Sequence, residues 1–232
     1  NAARTPIIGD VELFSQLLEE QGRPGKVIGI TGSNGKSTVT AMAGALCRAA
    51  GLRTVVAGNI GLPVLDALAQ TEHELPEAWV LELSSFQLET TSTLRLDAAT
   101  MLNLSQDYLD RYADMQAYAA AKQRIFAHAA TQVLNRDDTA SLAMRQEGSQ
   151  LITFGLDAAP TDNDFGLDTE GHLCRGAERI LSMDELPVPG LHNAANALAA
   201  MALGAAIGLP TPAMAQGLRG FRGLPHRTEL VG

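Results

Sequence analysis

Residues 27–38, VIGITGSNGKST, combine the residue types and the order that bind a phosphate group. An apolar run leads into a glycine-rich turn, and a lysine with two hydroxyl residues follows. Because backbone N–H groups at the start of a helix attract anions, we predict a buried strand, a phosphate-binding turn and a helix over 36–50. Lys36 would then neutralise the outer phosphates of a nucleotide, and the hydroxyl of Ser37 or Thr38 would hold Mg²⁺.

The glycine spacing of this segment departs from the usual phosphate-binding pattern. Ile30 stands five residues before Gly35, at the position where that pattern has a glycine. The order of strand, glycines, lysine and hydroxyl pair still favours a phosphate site over an ordinary glycine-rich turn. We call residues 32–38 the phosphate loop, and its predicted nucleotide contacts are Gly32, Ser33, Asn34, Gly35, Lys36, Ser37 and Thr38.

Short apolar or β-branched runs alternate with helical segments after the phosphate loop, at residues 53–57, 79–83, 98–102, 132–134 and 151–154. This alternation predicts an α/β fold with a P-loop-type parallel sheet of about six strands flanked by helices. Such sheets bind ligands at the carboxyl ends of their strands, where Asn59, Asn103 and Asn135 follow three of the runs. Taken singly, each asparagine is more readily a turn residue. Residues 162–186, rich in turn residues, predict a small antiparallel β appendage.

Composition limits the partners of this chain. Its 232 residues include 17 basic and 26 acidic residues, for a net charge of −9, and 46% are hydrophobic, enough for a substantial core. This charge argues against a nucleic-acid or anionic-membrane surface, and no apolar run approaches the roughly 20 residues that span a bilayer. Cys47 and Cys174 are isolated, which fits a reducing compartment. We expect a cytoplasmic, globular monomer with local phosphate binding.

Two charged residues fall in segments predicted to be buried. Glu82 lies inside WVLELSSF, where a carboxylate is costly unless it is paired or bound to metal, so a Mg²⁺ ligand is favoured over a structural ion pair. Lys122 lies on the apolar stripe of a helix predicted over 114–130. Periodicity alone slightly favours a lysine that extends to solvent or pairs with an aspartate. The other interpretation is an amine whose lowered pKa supports chemistry.

The two ends of the chain carry further helical patterns. Residues 10–22 have apolar residues at helical spacing, and Asp10 is placed as the N-cap. Near the other end, Asn193 and Asn196 lie one turn apart at the start of an alanine-rich helix. Asparagine has a low helix propensity, so this pair is either a cap or a recognition feature.

Seven phrases in order, spanning nearly the whole chain, resemble the central domain of the Mur ligase family. Within the family they are most similar to the MurD branch, which adds D-glutamate to UDP-N-acetylmuramoyl-L-alanine. The phrases are GITGSNGKST (29–38), GNIGLP (58–63), LELSSFQLE (81–89), LDRY (109–112), AAKQRIF (120–126), LHNAANALAA (191–200) and GLPHR (223–227). Any one of these segments alone would be weak evidence, but seven of them in the same order make the resemblance specific.

The resemblance implies an ATP-dependent ligase of peptidoglycan precursor synthesis. In that reaction the substrate carboxylate takes the γ-phosphoryl group of ATP, and the amine of D-glutamate attacks the acyl phosphate to give an amide, ADP and phosphate. By similarity, Lys36 would hold the β- and γ-phosphates. Ser37 or Thr38 would bind one Mg²⁺ together with Glu82, and Asn59 would lie near the reacting carboxylate. Phosphoryl transfer between anions needs positive charge and alignment, which this set supplies.

The same resemblance assigns the remaining positions. Asn193 and Asn196 would face adenine, and Arg227 would contact the nucleotide from the domain edge. Lys122 matches the lysine that this family carries as a carbamate, an anion able to orient a second Mg²⁺. Tyr108 stands where the branch has a histidine ligand of that second metal, and neutral tyrosine is a poor Mg²⁺ ligand. The carbamate with waters, a substituting Asp107, or an altered Tyr108 are the three arrangements left open.

Family members flank this region with two further domains, which we expect to lie outside this chain. Residues 1–22 would be a linker and a helix leading from an N-terminal UDP-binding domain. Residues 23–227 would be the central ATP-binding domain, and 228–232 would begin a linker to a C-terminal amino-acid-binding domain. The chain lacks an initiator Met, so we expect a fragment of a longer protein that is inactive as a ligase by itself. The alternatives are an L-glutamate-adding or folylpolyglutamate-type ligase and a nucleotide-binding module that has lost catalysis.

Overall fold

The computed structural model describes residues 8–71, 74–105 and 112–224. The strands within these ranges are β1 (Lys26–Thr31), β2 (Thr54–Gly58), β3 (Ala78–Glu82), β4 (Leu96–Met101), β5 (Ala129–Asn135), β6 (Gln150–Phe154), β7 (Phe165–Leu167), β8 (His172–Arg175) and β9 (Glu178–Ser182). The α-helices are α1 (Asp10–Glu20), α2 (Lys36–Ala49), α3 (Val64–Ala69), α4 (Ser85–Glu89), α5 (Met115–Gln123), α6 (Thr139–Ala143), α7 (Leu191–Ala206) and α8 (Thr211–Arg219).

One sheet joins all of these strands, in the order β2-β3-β1-β4-β5-β6-β7-β8-β9. The first six strands of that order pair in parallel, which confirms the predicted parallel sheet. β1 lies between β3 and β4. The chain therefore runs from β1 to β2 and β3 on one side of β1, and then crosses to β4 on its other side. Ligands of open parallel sheets bind at such a point, because the loops on either side diverge and leave a crevice.

The predicted antiparallel appendage is confirmed, and it continues the same sheet. β7 joins β6 through the single parallel pair Phe154↔Phe165, while β7, β8 and β9 pair antiparallel. Asp164 stabilises this junction by accepting hydrogen bonds from the amide and hydroxyl of Thr153 and from the hydroxyl of Thr161. The small β group is therefore an edge extension of the sheet and lies away from the end of β1.

The sheet has a hydrophobic core on each face, because successive strand residues point to opposite sides. Ile28 and Val80 pack in the core beneath α2, α7 and α8, whereas Val27 and Trp79 pack in the core beneath α1 and α3. Phe14 of α1 meets the Trp79 ring edge-on, with centroids 5.0 Å apart. None of the described helices is long and apolar enough to cross a membrane.

Two predicted helix boundaries are wrong. The helix predicted over 114–130 starts as expected, with the Asp114 side chain accepting from the Ala117 amide, but α5 ends at Gln123. A 3₁₀ turn follows, and Ala129 begins β5 because its backbone pairs with Leu96 of β4. At the other boundary, Gly9 occupies the N-cap of α1 and Asp10 is the first helical residue, where its charge favours the positive end of the helix dipole.

A buried carboxylate fastens α1 to the turn between α4 and β4. Glu12 is 3% exposed. It accepts hydrogen bonds from the backbone amides of Ser92 and Thr93, from the Thr93 hydroxyl and from the side-chain amide of Gln16. Burial by itself raises the pKa of this carboxyl, but the four hydrogen bonds outweigh it and lower the pKa from 4.5 to about 2. The ionised carboxylate therefore stabilises the fold above pH 4.5, and that stability is lost as the pH falls toward 2.

We expect Glu12→Gln to lower the free energy of unfolding at neutral pH by about 2 kcal/mol, because the side chain loses its charge and an NH₂ group in place of Oε1 cannot accept from the Thr93 hydroxyl and the Gln16 side chain. Glu20→Gln, an exposed residue of the same helix, is the matched control. Urea unfolding at a series of pH values measures the difference, which should shrink below pH 4.5. A difference that is constant with pH would contradict this account.

Candidate functional site

The phosphate loop connects β1 to α2, as the sequence predicts. Gly35 adopts φ +82° at the N-cap of α2 and offers no side-chain cap, so the first-turn N–H groups of the helix stay open to an anion. The positive φ favours glycine here, and a Cβ at this position would lie 2.7 Å from Oδ1 of Asn196, so a larger residue would also displace that side chain. The predicted strand, turn and helix are therefore all present.

A polar cavity of about 380 Å³ lies at the carboxyl ends of β1, β2 and β3. Its lining residues are Ser33, Asn34, Gly35, Lys36, Ser37, Thr38, Asn59 and Glu82. The structure thus brings together most of the residues predicted for phosphate and metal binding, although Gly32 is not among the lining residues. Inside the loop, Nζ of Lys36 donates to the carbonyl of Ser33 at 3.0 Å.

Glu82 is the last residue of β3 and is 2% exposed. Its Oε1 accepts from Nδ2 of Asn59 at 3.0 Å, and the backbone N–H of Asn59 donates to the backbone carbonyl of Glu82 at 2.8 Å. Gly58 permits this contact, since a Cβ there would lie 2.3 Å from the same carbonyl oxygen. Within the described ranges, Oε2 of Glu82 is buried without a hydrogen-bond partner.

This unpartnered oxygen tests whether the site fits a divalent cation. A buried carboxylate oxygen without a donor is costly, and a bound cation removes that cost. It lines the same cavity as the hydroxyl residues Ser37 and Thr38, and oxygen ligands of this kind suit Mg²⁺. The described side chains contain no group of three or more His, Cys, Asp or Glu able to hold a metal, so the remaining ligands would be phosphate oxygens and water.

Lys122 points inward from α5 and is 2% exposed, so the interpretation that it extends to solvent is wrong. Its Nζ donates to the Gly32 carbonyl at 2.9 Å and to Oγ1 of Thr31 at 3.4 Å, and lies 4.8 Å from the centre of the Tyr118 ring. Burial, reinforced by the charge of Lys36, lowers the pKa of Lys122 from 10.5 to about 7, while nearby Glu82 opposes that change. A substantial fraction of this amine is therefore uncharged near neutral pH.

A second cavity of about 110 Å³ has Lys36 and Asn59 in common with the first and adds Lys122. Its other lining residues are Ser84, Ser85, Phe86 and Tyr118, none of which the sequence analysis assigned to the site. A signal for Tyr118 was present, because it lies one helical turn before Lys122 on the same face. Phe86 is a large apolar residue that stays 40% exposed, which only the structure reveals.

The two asparagines of α7 lie behind the phosphate loop. Asn193 is buried and donates to the Pro189 carbonyl at 2.9 Å, and Nδ2 of Asn196 is 3.4 Å from Oδ1 of Asn193. The N-cap itself is Gly190, without a side-chain hydrogen bond, so neither asparagine caps the helix. Asn196 contacts the loop at Gly35, and neither residue lines the two cavities described above.

Three residues of the predicted site lie outside the described residues. They are Asp107 and Tyr108, at the position of the second metal, and Arg227, at the edge of the domain. Their roles stay predictions.

Residues 30–204 match the family model of the Mur ligase middle domain. The UDP-N-acetylmuramoylalanine–D-glutamate ligase of Thiobacillus denitrificans is 57% identical over 97% of this chain and 50% of its own length. The enzyme of the same name from Methylobacillus flagellatus is 54% identical over 97% of this chain and 49% of its own. The chain therefore spans about half the length of the curated relatives it matches.

Solved structures show the same fold at low sequence identity. MurF from Acinetobacter baumannii superposes with a TM-score of 0.73 at 22% identity, over 94% of this chain and 50% of its own. The UDP-N-acetylmuramate-alanine ligase MurC from Thermotoga maritima gives 0.68 at 22% identity, over 96% of this chain and 50% of its own.

Proposed function

This chain belongs to the Mur ligase family, and from that premise we propose that it is the ATP-binding module of a ligase that joins D-glutamate to UDP-N-acetylmuramoyl-L-alanine. The curated relatives that bear the name of this activity support the choice of substrates. The observation that carries the proposal is the buried, unpartnered Oε2 of Glu82, in the same cavity as Lys36 and the start of α2. That cavity offers a metal-bound triphosphate a ligand for the cation, the positive charge of Lys36 and the N–H groups at the start of α2.

The residues of the two cavities have distinct tasks in this reaction. Lys36 lines both, so it neutralises the transferred phosphoryl group as the two anions approach. The N–H groups at the start of α2 bind the remaining phosphate oxygens. Asn59 holds Oε1 of Glu82, which leaves Oε2 for a cation, and its place in both cavities suits contact with the reacting carboxylate. A bound Mg²⁺ stabilises the charge that develops on the phosphate oxygens.

Lys122 is proposed to carry a carbamate. The ammonium group first loses one proton. The uncharged amine then forms a C–N bond with carbon dioxide, one C–O π bond opens to give a carboxylate, and a second proton leaves the nitrogen, so that a cation becomes an anion. The carbamate nitrogen keeps one hydrogen and can still donate to the Gly32 carbonyl, now 2.9 Å from Nζ. The new carboxylate would lie at the second cavity, where it could hold a second Mg²⁺.

The lowered pKa of Lys122 makes this modification testable by pH. With ¹³C-bicarbonate, we expect a carbamate resonance whose intensity rises as the pH increases through about 7, because only the uncharged amine reacts. Lys122→Arg should abolish the resonance, whereas Lys26→Arg, at an exposed lysine, should not change it. A resonance that persists in Lys122→Arg would assign the carbamate to another residue.

The remaining contacts and domains complete the proposal. Asn193, Asn196 and Arg227 would contact the adenine end of the nucleotide, as the resemblance to the family implies. The UDP-sugar substrate and D-glutamate would be bound by domains that flank residues 23–227. The helix in 1–22 would join the first of them to the core. Because the reaction consumes ATP, we place it in the cytoplasm, with the enzyme acting as a monomer.

An assay of the full-length protein tests this function against its alternatives. With UDP-N-acetylmuramoyl-L-alanine and Mg·ATP, phosphate release should depend on D-glutamate. Faster turnover with L-glutamate would support the L-glutamate-adding alternative instead. Nucleotide binding without turnover of either enantiomer would support a module that has lost catalysis.

A further inference from the structure

Asn103, which follows β4, binds the phosphate loop through its side chain. Oδ1 of Asn103 accepts from the backbone amide of Asn34 at 2.8 Å, and Nδ2 of Asn103 donates to the backbone carbonyl of Asn34 at 3.0 Å. The side-chain amide thus binds both polar groups of one loop residue that lies 69 positions away in the sequence. Only a planar group with a donor and an acceptor side by side can do this, which selects asparagine over aspartate or leucine.

Neighbouring hydrogen bonds extend this contact. The Ser33 amide donates to the Asn103 carbonyl at 2.9 Å, and the Ser105 amide donates to Oγ of Ser33 at 2.9 Å. Nδ2 of Asn34 donates to Oγ of Ser105 at 3.2 Å. The first half of the phosphate loop is therefore tied to residues 103–105, the segment that follows β4.

These contacts decide which loop donors can face the cavity. The backbone N–H groups of Ser33 and Asn34 are directed at Asn103, so they are used within the protein. Phosphate must then bind at the next residues, from Gly35 into the first turn of α2, where backbone N–H groups have no partner within the helix. The orientation of the Asn34 peptide sets the direction of those donors, because Gly35 follows it at φ +82°.

We propose that Asn103 is a positioning residue for phosphate binding: it fixes the Asn34 peptide so that Gly35 and the start of α2 face the β- and γ-phosphates. Asn196 lies against the same loop at Gly35, where a Cβ would come within 2.7 Å of its Oδ1, so the loop has little room to shift there. This inference rests on the proposed ATP-binding function. It assigns Asn103 no contact with the nucleotide.

The test compares two nucleotides on the same variant. Asn103→Ala should weaken Mg·ATP binding to this chain about tenfold, as expected for the loss of two hydrogen bonds that orient the loop. Binding of AMP, which lacks the β- and γ-phosphates, should change less than about twofold. NMR titrations of the chain with each nucleotide give both affinities, and the ATP-to-AMP affinity ratio is then compared between the variant and the unaltered chain.

Asn135→Ala is the matched control. This residue ends the adjacent strand β5, and its Nδ2 donates to the Leu102 carbonyl at 2.9 Å. It should lower the melting temperature without changing the ATP-to-AMP affinity ratio. If Asn103→Ala behaves in the same way, its role is only structural and the inference is overturned.

Two further measurements keep the inference testable if Asn103→Ala does not fold. Ser105→Ala removes the hydrogen bond from Nδ2 of Asn34 and leaves Asn103 in place, so it should lower the affinity ratio by a smaller factor; an unchanged ratio would count against the inference. Amide exchange at Asn34 in the nucleotide-free chain should quicken in whichever variant folds, and unchanged exchange would overturn the claim that this segment fixes the peptide. Failure of the unaltered chain to bind Mg·ATP would overturn the proposed function and, with it, the role of Asn103 in phosphate binding.

Discussion

Replacing Lys36 with methionine should lower kcat/KM of the full-length ligase by about a thousandfold. The reaction brings a substrate carboxylate onto a phosphoryl group, and both are anions. Lys36 is the lysine of the phosphate loop and lines both cavities, so its charge lies between the two reactants. Methionine keeps most of the apolar stem and removes only the ammonium group. Steady-state kinetics with each substrate varied in turn measures the change.

Lys26→Met is the control for this variant. Lys26 begins the same strand, but its side chain is 53% exposed and pairs with Asp97 at the surface. Exposed ion pairs contribute little, so kcat/KM should change less than about twofold. A Lys36→Met enzyme within about tenfold of the unaltered protein would contradict the proposed role of Lys36.

Replacing Glu82 with glutamine should have opposite effects on activity and on stability. The amide keeps the size of the side chain and can still accept from Asn59, but it loses the charge that holds a cation. We expect kcat to fall about a hundredfold and the Mg²⁺ concentration for half-maximal rate to rise. In the absence of metal and nucleotide, the chain should be at least as stable as the unaltered one, because a buried carboxylate oxygen without a partner is costly.

Kinetics at several Mg²⁺ concentrations and urea unfolding in a chelator measure these two effects. Glu178→Gln, at an exposed position of β9, should change neither. Loss of stability in Glu82→Gln with an unchanged Mg²⁺ requirement would indicate that Glu82 has a structural role, which was the alternative for a buried glutamate.

Local signals were enough to predict the phosphate loop and the parallel sheet. Strand, glycines, lysine and hydroxyl residues lie within twelve positions of one another, so their meaning does not depend on the rest of the chain. The special role of Glu82 could also be predicted from the sequence, because a carboxylate in a continuous apolar run is costly to bury unless it is paired or bound to metal. The structure confirms its burial at the end of β3.

Features that depend on distant residues could not be predicted in this way. Lys122 is buried because Gly32 and Thr31, some ninety positions earlier, provide its acceptors, and periodicity within α5 carries no sign of them. The early end of α5 has a similar cause, since pairing with β4 takes Ala129 into the sheet. Asn103 resembled an ordinary turn residue until its contacts with Asn34 were visible.

Titration of Mg·ATP into this chain tests the central claim most directly, because it needs neither flanking domains nor substrates. We expect saturable binding in the millimolar range or tighter, which depends on Mg²⁺ and is weaker in the Lys36→Met variant. The absence of binding at millimolar nucleotide, or equal binding by the Lys36→Met variant, would contradict the claim that this cavity is an ATP site.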